Sequence, residues 1–231
     1  MKVSFWFVMI ASFFVTCLIT ANIIAVKLIF LFNLLVPAGI IVFPLSYLFG
    51  DVLTEVYGYA ATRQVIWLGF LCNLLAVVAI TLGGLAPAAP FWHDQAAYQT
   101  ILGFTPRLLL ASFIAYLAGE FTNSFVLAQL KIATRGRWLW TRTIGSTLVG
   151  EGIDTVIFIS IAFWGIIPPA LILTAILTQW LFKVLYEVIA TPFTYVVVGF
   201  LKRREHLDTY DYQTNFSPIL LRRPSAKNEA L

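Results

Sequence analysis

Residues 3–26 read VSFWFVMIASFFVTCLITANIIAV. No charged side chain interrupts this run, and a single charge, Lys2, precedes it. A bilayer-crossing helix needs about 20 predominantly apolar residues, so the run is long enough to span. It carries no small-x-small cleavage pattern at signal-peptide distance, and we expect it to be retained as a first membrane helix. The rest of the chain has the same character. Of 231 residues, 60% are hydrophobic and 11% are charged, and the mean hydropathy is +0.89. A typical soluble domain is roughly 25% charged and needs a polar exterior. The composition therefore excludes a soluble enzyme, a disordered chain, a collagen and a disulfide scaffold. It leaves an all-α, polytopic membrane protein.

Working outward from the first run, the segment Leu28 to Val36 is apolar too but breaks at Pro37-Ala38-Gly39. It reads equally as a connecting hook or as a helix extension. The second span is expected over Pro37–Tyr57, with Gly58 and Arg63 marking the turn, and the third over Thr62–Leu82. A polar external loop with His93, Asp94, Gln95 and Gln99 leads to the fourth, Thr105–Ile132. The fifth is expected over Thr143–Ile166 and the sixth over Ala170–Leu201, followed by a polar tail, Lys202–Leu231. The expected domains are thus a six-helix membrane domain, 1–201, and a cytoplasmic tail, 202–231. Cys17 and Cys72 lie in apolar runs without metal-ligand spacing and read as packing residues.

The net charge of +4 fits the positive-inside rule better than a nucleic-acid partner. With the N-terminus inside, Lys2, Arg63, the loop residues Lys131, Arg135, Arg137 and Arg142, and six Lys/Arg residues of the tail all face the cytoplasm. These are 12 of the 15 basic residues. Trp138 and Trp140 interleave with the loop arginines as an interfacial belt does. An odd number of spans would separate the tail from the basic loop, so six spans with both termini cytoplasmic are expected.

Ionisable residues inside the spans are candidates for function. Span four holds Glu120 and Asn123, and span five holds Glu151 and Asp154, each pair three residues apart on one face. Span six holds Gln179, Lys183 and Glu187 at four-residue steps, and span one holds Asn22, shortly before Lys27. Asp51 and Glu55 fall nearer the cytoplasmic end of span two. Each central charge costs about 2.5–3.5 kcal/mol on insertion scales, so Glu120, Glu151, Asp154, Lys183 and Glu187 would together cost roughly 12–18 kcal/mol facing lipid. They must pair, protonate or line a wet cavity. A purely structural role, with Lys183 paired to Glu187, is the alternative. Gly145, Gly150 and Gly152 read as close-packing positions.

Enzymatic motifs are absent: there is no HExxH, no GxSxG and no Walker A loop. Asp51 and Asp154 could nominally serve an intramembrane hydrolase, which is one alternative reading. No cofactor and no metal site is implied.

The stretch Phe43–Tyr59, FPLSYLFGDVLTEVYGY, resembles the signature of the queuosine precursor transporter family, also called the vitamin uptake transporter family. The resemblance continues at Arg63 and Trp67, at Arg142-Thr143-Ile144-Gly145-Ser146-Thr147, and at Glu151-Gly152-Ile153-Asp154-Thr155. It takes in Asn22, Lys27, Ile161-Ala162-Phe163, Lys183 and Thr191-Pro192. One departure is Gly119-Glu120 with Asn123, where a glutamine and an aspartate would be expected. The resemblance implies a six-helix importer in the bacterial plasma membrane. Its substrate would be a queuosine precursor for tRNA modification, chiefly 7-cyano-7-deazaguanine. It also suggests a more distant similarity to the substrate-binding subunits of energy-coupling-factor vitamin importers, the other alternative.

A 7-deazaguanine offers two adjacent N–H donors and a carbonyl on one edge. A carboxylate can take both donors, an Asn, Gln or Lys can donate to the carbonyl, and an aromatic such as Trp180 can stack on the ring. The expected substrate-binding set is therefore Asn22, Lys27, Glu120, Asn123, Glu151, Asp154, Gln179, Trp180, Lys183 and Glu187. Within it, Asp154 is expected to accept from the substrate and Glu151 to handle a proton. The partners expected are the small deazapurine and the lipid bilayer, with no nucleic acid; a homodimer is a compatible assembly.

Overall fold

The computed structural model describes residues 4–31, 34–103, 106–166 and 168–220. Val3 and Thr105, where two expected spans begin, lie outside these residues. So do Lys2 and, in the tail, Arg222, Arg223 and Lys227. Seven helices are described: α1 (Phe5–Ile24), α2 (Phe43–Tyr57), α3 (Tyr59–Leu85), α4 (Gln95–Leu102), α5 (Pro106–Ala133), α6 (Leu139–Phe163) and α7 (Pro169–Glu205). Six are long and apolar enough to cross a membrane, α2 together with the 3-10 turn Ala38–Ile41 that leads into it. The eight-residue α4 is the exception and lies in the polar loop between α3 and α5.

The segment after α1 is a hook. β1 (Leu28–Leu31) pairs antiparallel with β2 (Leu34–Pro37), Leu28 opposite Pro37. Ala38 N–H closes the base on the Lys27 carbonyl at 2.7 Å. Short apolar strands satisfy their backbone groups by pairing with each other, which a frayed helix end could not do in an apolar setting.

The turn from α2 to α3 is tighter than the sequence suggests. Gly58 alone forms it, with φ 82°, a left-handed conformation that favours glycine. Arg63, expected to mark this turn, instead lies one helical turn inside α3 and is buried. Its Nη1 donates to the carbonyls of Asn215 and Ser217 at 2.8 Å each.

The span containing α2 is the central one, with 67% of its window buried against 28% for α1, α3 and α7. On α1 the buried positions Ile10, Phe14, Leu18 and Ala21 recur at helical spacing, while Phe5, Val8 and Phe13 face outward. α7 likewise turns Leu177, Leu181, Leu185 and Ile189 outward and Lys183, Glu187, Thr191 and Thr194 inward. Those outward rows face lipid tails, which are as apolar as they are.

α5 and α6 form the most intimate helix pair. A Cβ at Gly150 would lie 2.6 Å from Asn123 Cβ, and one at Gly119 would lie 2.7 Å from Asp154 Cβ. Small residues let two backbones approach in a membrane, and here they also bring the polar rows of the two helices together. Arg107 ties the other end of the pair through the carbonyls of Ile161 (2.6 Å) and Trp164 (2.5 Å). Ser4, which caps α1, donates to Glu205 at 2.5 Å, so the start of the first span and the end of the last meet on one face of the bundle.

Candidate functional site

The quoted signature stretch forms α2, and four-residue steps along it place Phe43, Tyr47, Asp51 and Glu55 on one face. The middle of this face meets α5, α6 and α7. There Lys183 extends from α7 to Asp154 Oδ2 at 2.5 Å and Glu151 Oε2 at 2.7 Å, both on α6. All three are buried. The ammonium also lies 5.1 Å from the centre of the Phe43 ring and 5.9 Å from that of Tyr47, within cation–π range. Asn123 on α5 donates to Asp51 Oδ1 at 2.6 Å.

Glu120 lies one turn before Asn123 on α5. It is fully buried, and neither of its carboxylate oxygens has a hydrogen-bond partner among the described residues. A Cβ at Gly50 would come within 3.2 Å of Glu120 Oε2, so α2 leaves room for that carboxylate by carrying no side chain there. Asp51 Oδ2, Glu187 Oε1, Asn123 Oδ1 and the Tyr47 hydroxyl are likewise buried without partners among the described residues. Glu120 lies within electrostatic reach of Asp51, Glu151 and Asp154, and Glu187 of Asp51 and Glu151, while Lys183 is the cation near Glu120, Glu151 and Asp154 among the described residues.

At the end of the same α2 face, Glu55 joins three cations. Arg142 holds it by both oxygens, at 2.7 and 2.8 Å, Lys202 reaches Oε1 at 2.5 Å, and Lys131 lies 3.6 Å away. Lys131 also donates to Asp208 at 2.6 Å and to the Thr209 carbonyl at 2.7 Å. Residues 208–218 fold back over this end of the bundle. Asp211 accepts the α3 amide of Tyr59 at 3.0 Å, and Trp67 donates to the Pro218 carbonyl at 2.8 Å. Partial burial would raise the Asp208 carboxyl, but hydrogen bonds from Lys131 and Lys202 outweigh it and hold the group below its ordinary value.

Of the residues singled out in the sequence, Glu120, Asn123, Glu151, Asp154, Lys183 and Glu187 come together. Lys183 pairs across to α6, not with Glu187 on its own helix. Trp180 sits on the seam between α6 and α7, donating to the Leu148 carbonyl at 3.0 Å against Gly152. Gln179 is half-buried on α7. Asn22 pairs instead with Asn73 of α3 at 3.1 Å, and Lys27 is exposed at the base of the hook. The cluster also contains Phe43, Tyr47 and Asp51, which were not in the expected substrate-binding set. Their four-residue spacing toward Glu55 was the available signal.

The sequence matches the family described as "Putative vitamin uptake transporter" over residues 37–197, a range that contains α2 and every member of the cluster. The chain belongs to this family. The transporter is 33% identical over 180 residues to the "Probable queuosine precursor transporter" of Bacillus subtilis (strain 168), covering 77% of this chain and 78% of that one. It is 29% identical over 126 residues to the "Queuosine precursor transporter" of Escherichia coli (strain K12), covering 54% of each chain. A third relative, from Haemophilus influenzae, is 26% identical over 126 residues, 54% of this chain and 51% of that one, and bears the name "Probable queuosine precursor transporter". No solved structure gives a match. The transporter is a multi-pass bacterial membrane protein.

Proposed function

We propose that this transporter carries a queuosine precursor, a 7-deazaguanine base, into the cell, and that it binds the base at the cluster between α2, α5, α6 and α7. The names of its relatives support the substrate class. The observation that carries the reading is Lys183 held between Glu151 and Asp154 beneath the rings of Phe43 and Tyr47. An ammonium carries three donors. One is given to Asp154 and the ammonium is ion-paired with Glu151, and a remaining donor suits the carbonyl of the base. Flanking rings offer stacking surfaces, at about 1–3 kcal/mol per base. Another carboxylate of the cluster can take the two adjacent N–H groups of the same edge.

On this reading Glu120, Asn123, Glu151, Asp154, Lys183 and Glu187 contact or frame the substrate, and Asn22, Lys27, Gln179 and Trp180 line its route. The transport domain comprises residues 1–201, and 202–231 form a cytoplasmic segment with both termini inside. Uptake of labelled 7-cyano-7-deazaguanine by cells that cannot synthesise it tests the proposal. Wild type restores uptake and Lys183→Met, inserted at normal levels, does not. Uptake no greater than in cells carrying an empty vector rejects it.

A further inference from the structure

The hydrogen-bonding inventory of the cluster is lopsided. Among the described residues, the buried cluster atoms left without a hydrogen-bond partner are mostly acceptors: both oxygens of Glu120, Asp51 Oδ2, Asn123 Oδ1, Glu151 Oε2 and Glu187 Oε1, beside one hydroxyl, that of Tyr47. Of the donors, Lys183 is hydrogen-bonded to Asp154 and ion-paired with Glu151 and the Asn123 amide is spent on Asp51, which leaves the Tyr47 hydroxyl. Charge is lopsided in the same direction. Among the described residues, the cluster holds five carboxyl groups and one ammonium, Lys183, which contacts two of them, while Lys131, Arg142 and Lys202 are committed to Glu55 at the end of the bundle. Buried acceptors without donors are costly, and buried carboxylates without cations more so.

Resting on the transport reading, we infer that the site selects the cationic member of the precursor class, a 7-deazaguanine with a protonated aminomethyl arm, over the neutral 7-cyano form, and that Glu120 makes the selection. The two differ at one substituent. The arm brings three N–H donors and a positive charge. The nitrile brings one acceptor and no donor, into a site already crowded with acceptors. Glu120 is the carboxylate best suited to read this difference. Neither of its oxygens has a partner among the described residues, it is buried, and Gly50 on α2 faces it without a side chain. Satisfying a buried polar group on one ligand while leaving it unpaired on another is the arrangement that discriminates most strongly.

The test is equilibrium binding of 7-aminomethyl-7-deazaguanine and 7-cyano-7-deazaguanine to the full chain in lipid nanodiscs. The readout is the ratio of their two Kd values. Wild type should prefer the aminomethyl form at least tenfold. Glu120→Gln, which keeps the shape and removes the charge, should bring the ratio below threefold. Glu120→Asp, which keeps the charge, should preserve it. A monodisperse elution profile confirms that each variant is folded. Equal binding of both ligands by wild type, or a ratio unchanged in Glu120→Gln, overturns the inference and leaves the transport reading standing. Binding of neither ligand by wild type overturns both.

Discussion

Arg142 grips Glu55 with two parallel hydrogen bonds, Nε to Oε2 at 2.7 Å and Nη2 to Oε1 at 2.8 Å, and so joins the first turn of α6 to the last turn of α2. Neither side chain is more than 2% exposed. Removing one member of a buried pair strands the other, at about 3–5 kcal/mol. Glu55 has three cationic neighbours, so Glu55→Ala should cost at least the upper part of that range. Thermal unfolding of the purified protein should show it as a large fall in Tm. Arg142→Lys, which keeps the charge but loses the fork, should cost markedly less.

Lys183 separates two acids that would otherwise face each other. Lys183→Met should abolish uptake and also destabilise the protein. Adding Asp154→Asn relieves the repulsion, so the double variant should recover much of the lost stability without recovering uptake. Recovery of uptake would show that the lysine only neutralises charge and does not touch the substrate. Asp154→Asn alone should weaken precursor binding by about 1.5 kcal/mol or more, the low end for a hydrogen bond to a charged group.

Glycines in the spans are not equivalent. Gly150→Ala puts a methyl 2.6 Å from Asn123 Cβ and 3.0 Å from its backbone nitrogen, so α5 and α6 must part. A cost of about 1–3 kcal/mol is expected for overpacking of this kind. Gly199→Ala in α7 meets nothing within 4 Å and should be neutral or stabilising, by up to about 1 kcal/mol. Parallel melting curves check both.

Asp208 faces Lys131 and Lys202, with Glu55 and Tyr210 nearby. Its folded-state value is depressed relative to the unfolded chain. Its contribution to stability is therefore fully present above the ordinary aspartate value, about 3.9, and is lost as pH falls through the lower folded value. Protease accessibility of residues 208–218 in wild type should rise in that acid window. In Asp208→Asn it should already be raised at neutral pH and change less on acidification.

Orientation is tested by labelling. Cysteines introduced at Arg137 and Lys227 should resist membrane-impermeant reagents in intact cells and react after permeabilisation. Labelling of either from outside would reverse the assignment of faces.

The spans were legible because a bilayer accepts only long apolar runs, and Val3–Val26 or Ala170–Leu201 have no other use. The hook was not legible: Leu28–Leu31 and Leu34–Pro37 are each four residues of unbroken apolar sequence, compatible with strand or helix. The single-residue joint at Gly58 was hidden because a helix restarting at Tyr59 leaves no polar loop to notice. In the candidate site, Glu120, Glu151, Asp154 and Lys183 stood out as charges in apolar surroundings. Which acid faces the lysine depends on how α6 is rotated against α7, and no local pattern encodes that. Glu55 and its partners are 87 residues apart at Arg142 and 147 at Lys202, beyond any periodicity.

The Glu55 junction also bears on how the protein is made. α2 emerges from the ribosome after α1, with Asp51 and Glu55 in a window of mean hydropathy 1.5, between neighbours at 2.3 and 2.4. The side chains that neutralise Glu55 are encoded in α5, α6 and the end of α7, so they arrive last. Until then the second helix has little reason to leave the insertion machinery for lipid. Nascent chains halted before Leu139 should be held there or degraded, and membrane integration should become irreversible only when the sixth span has been released.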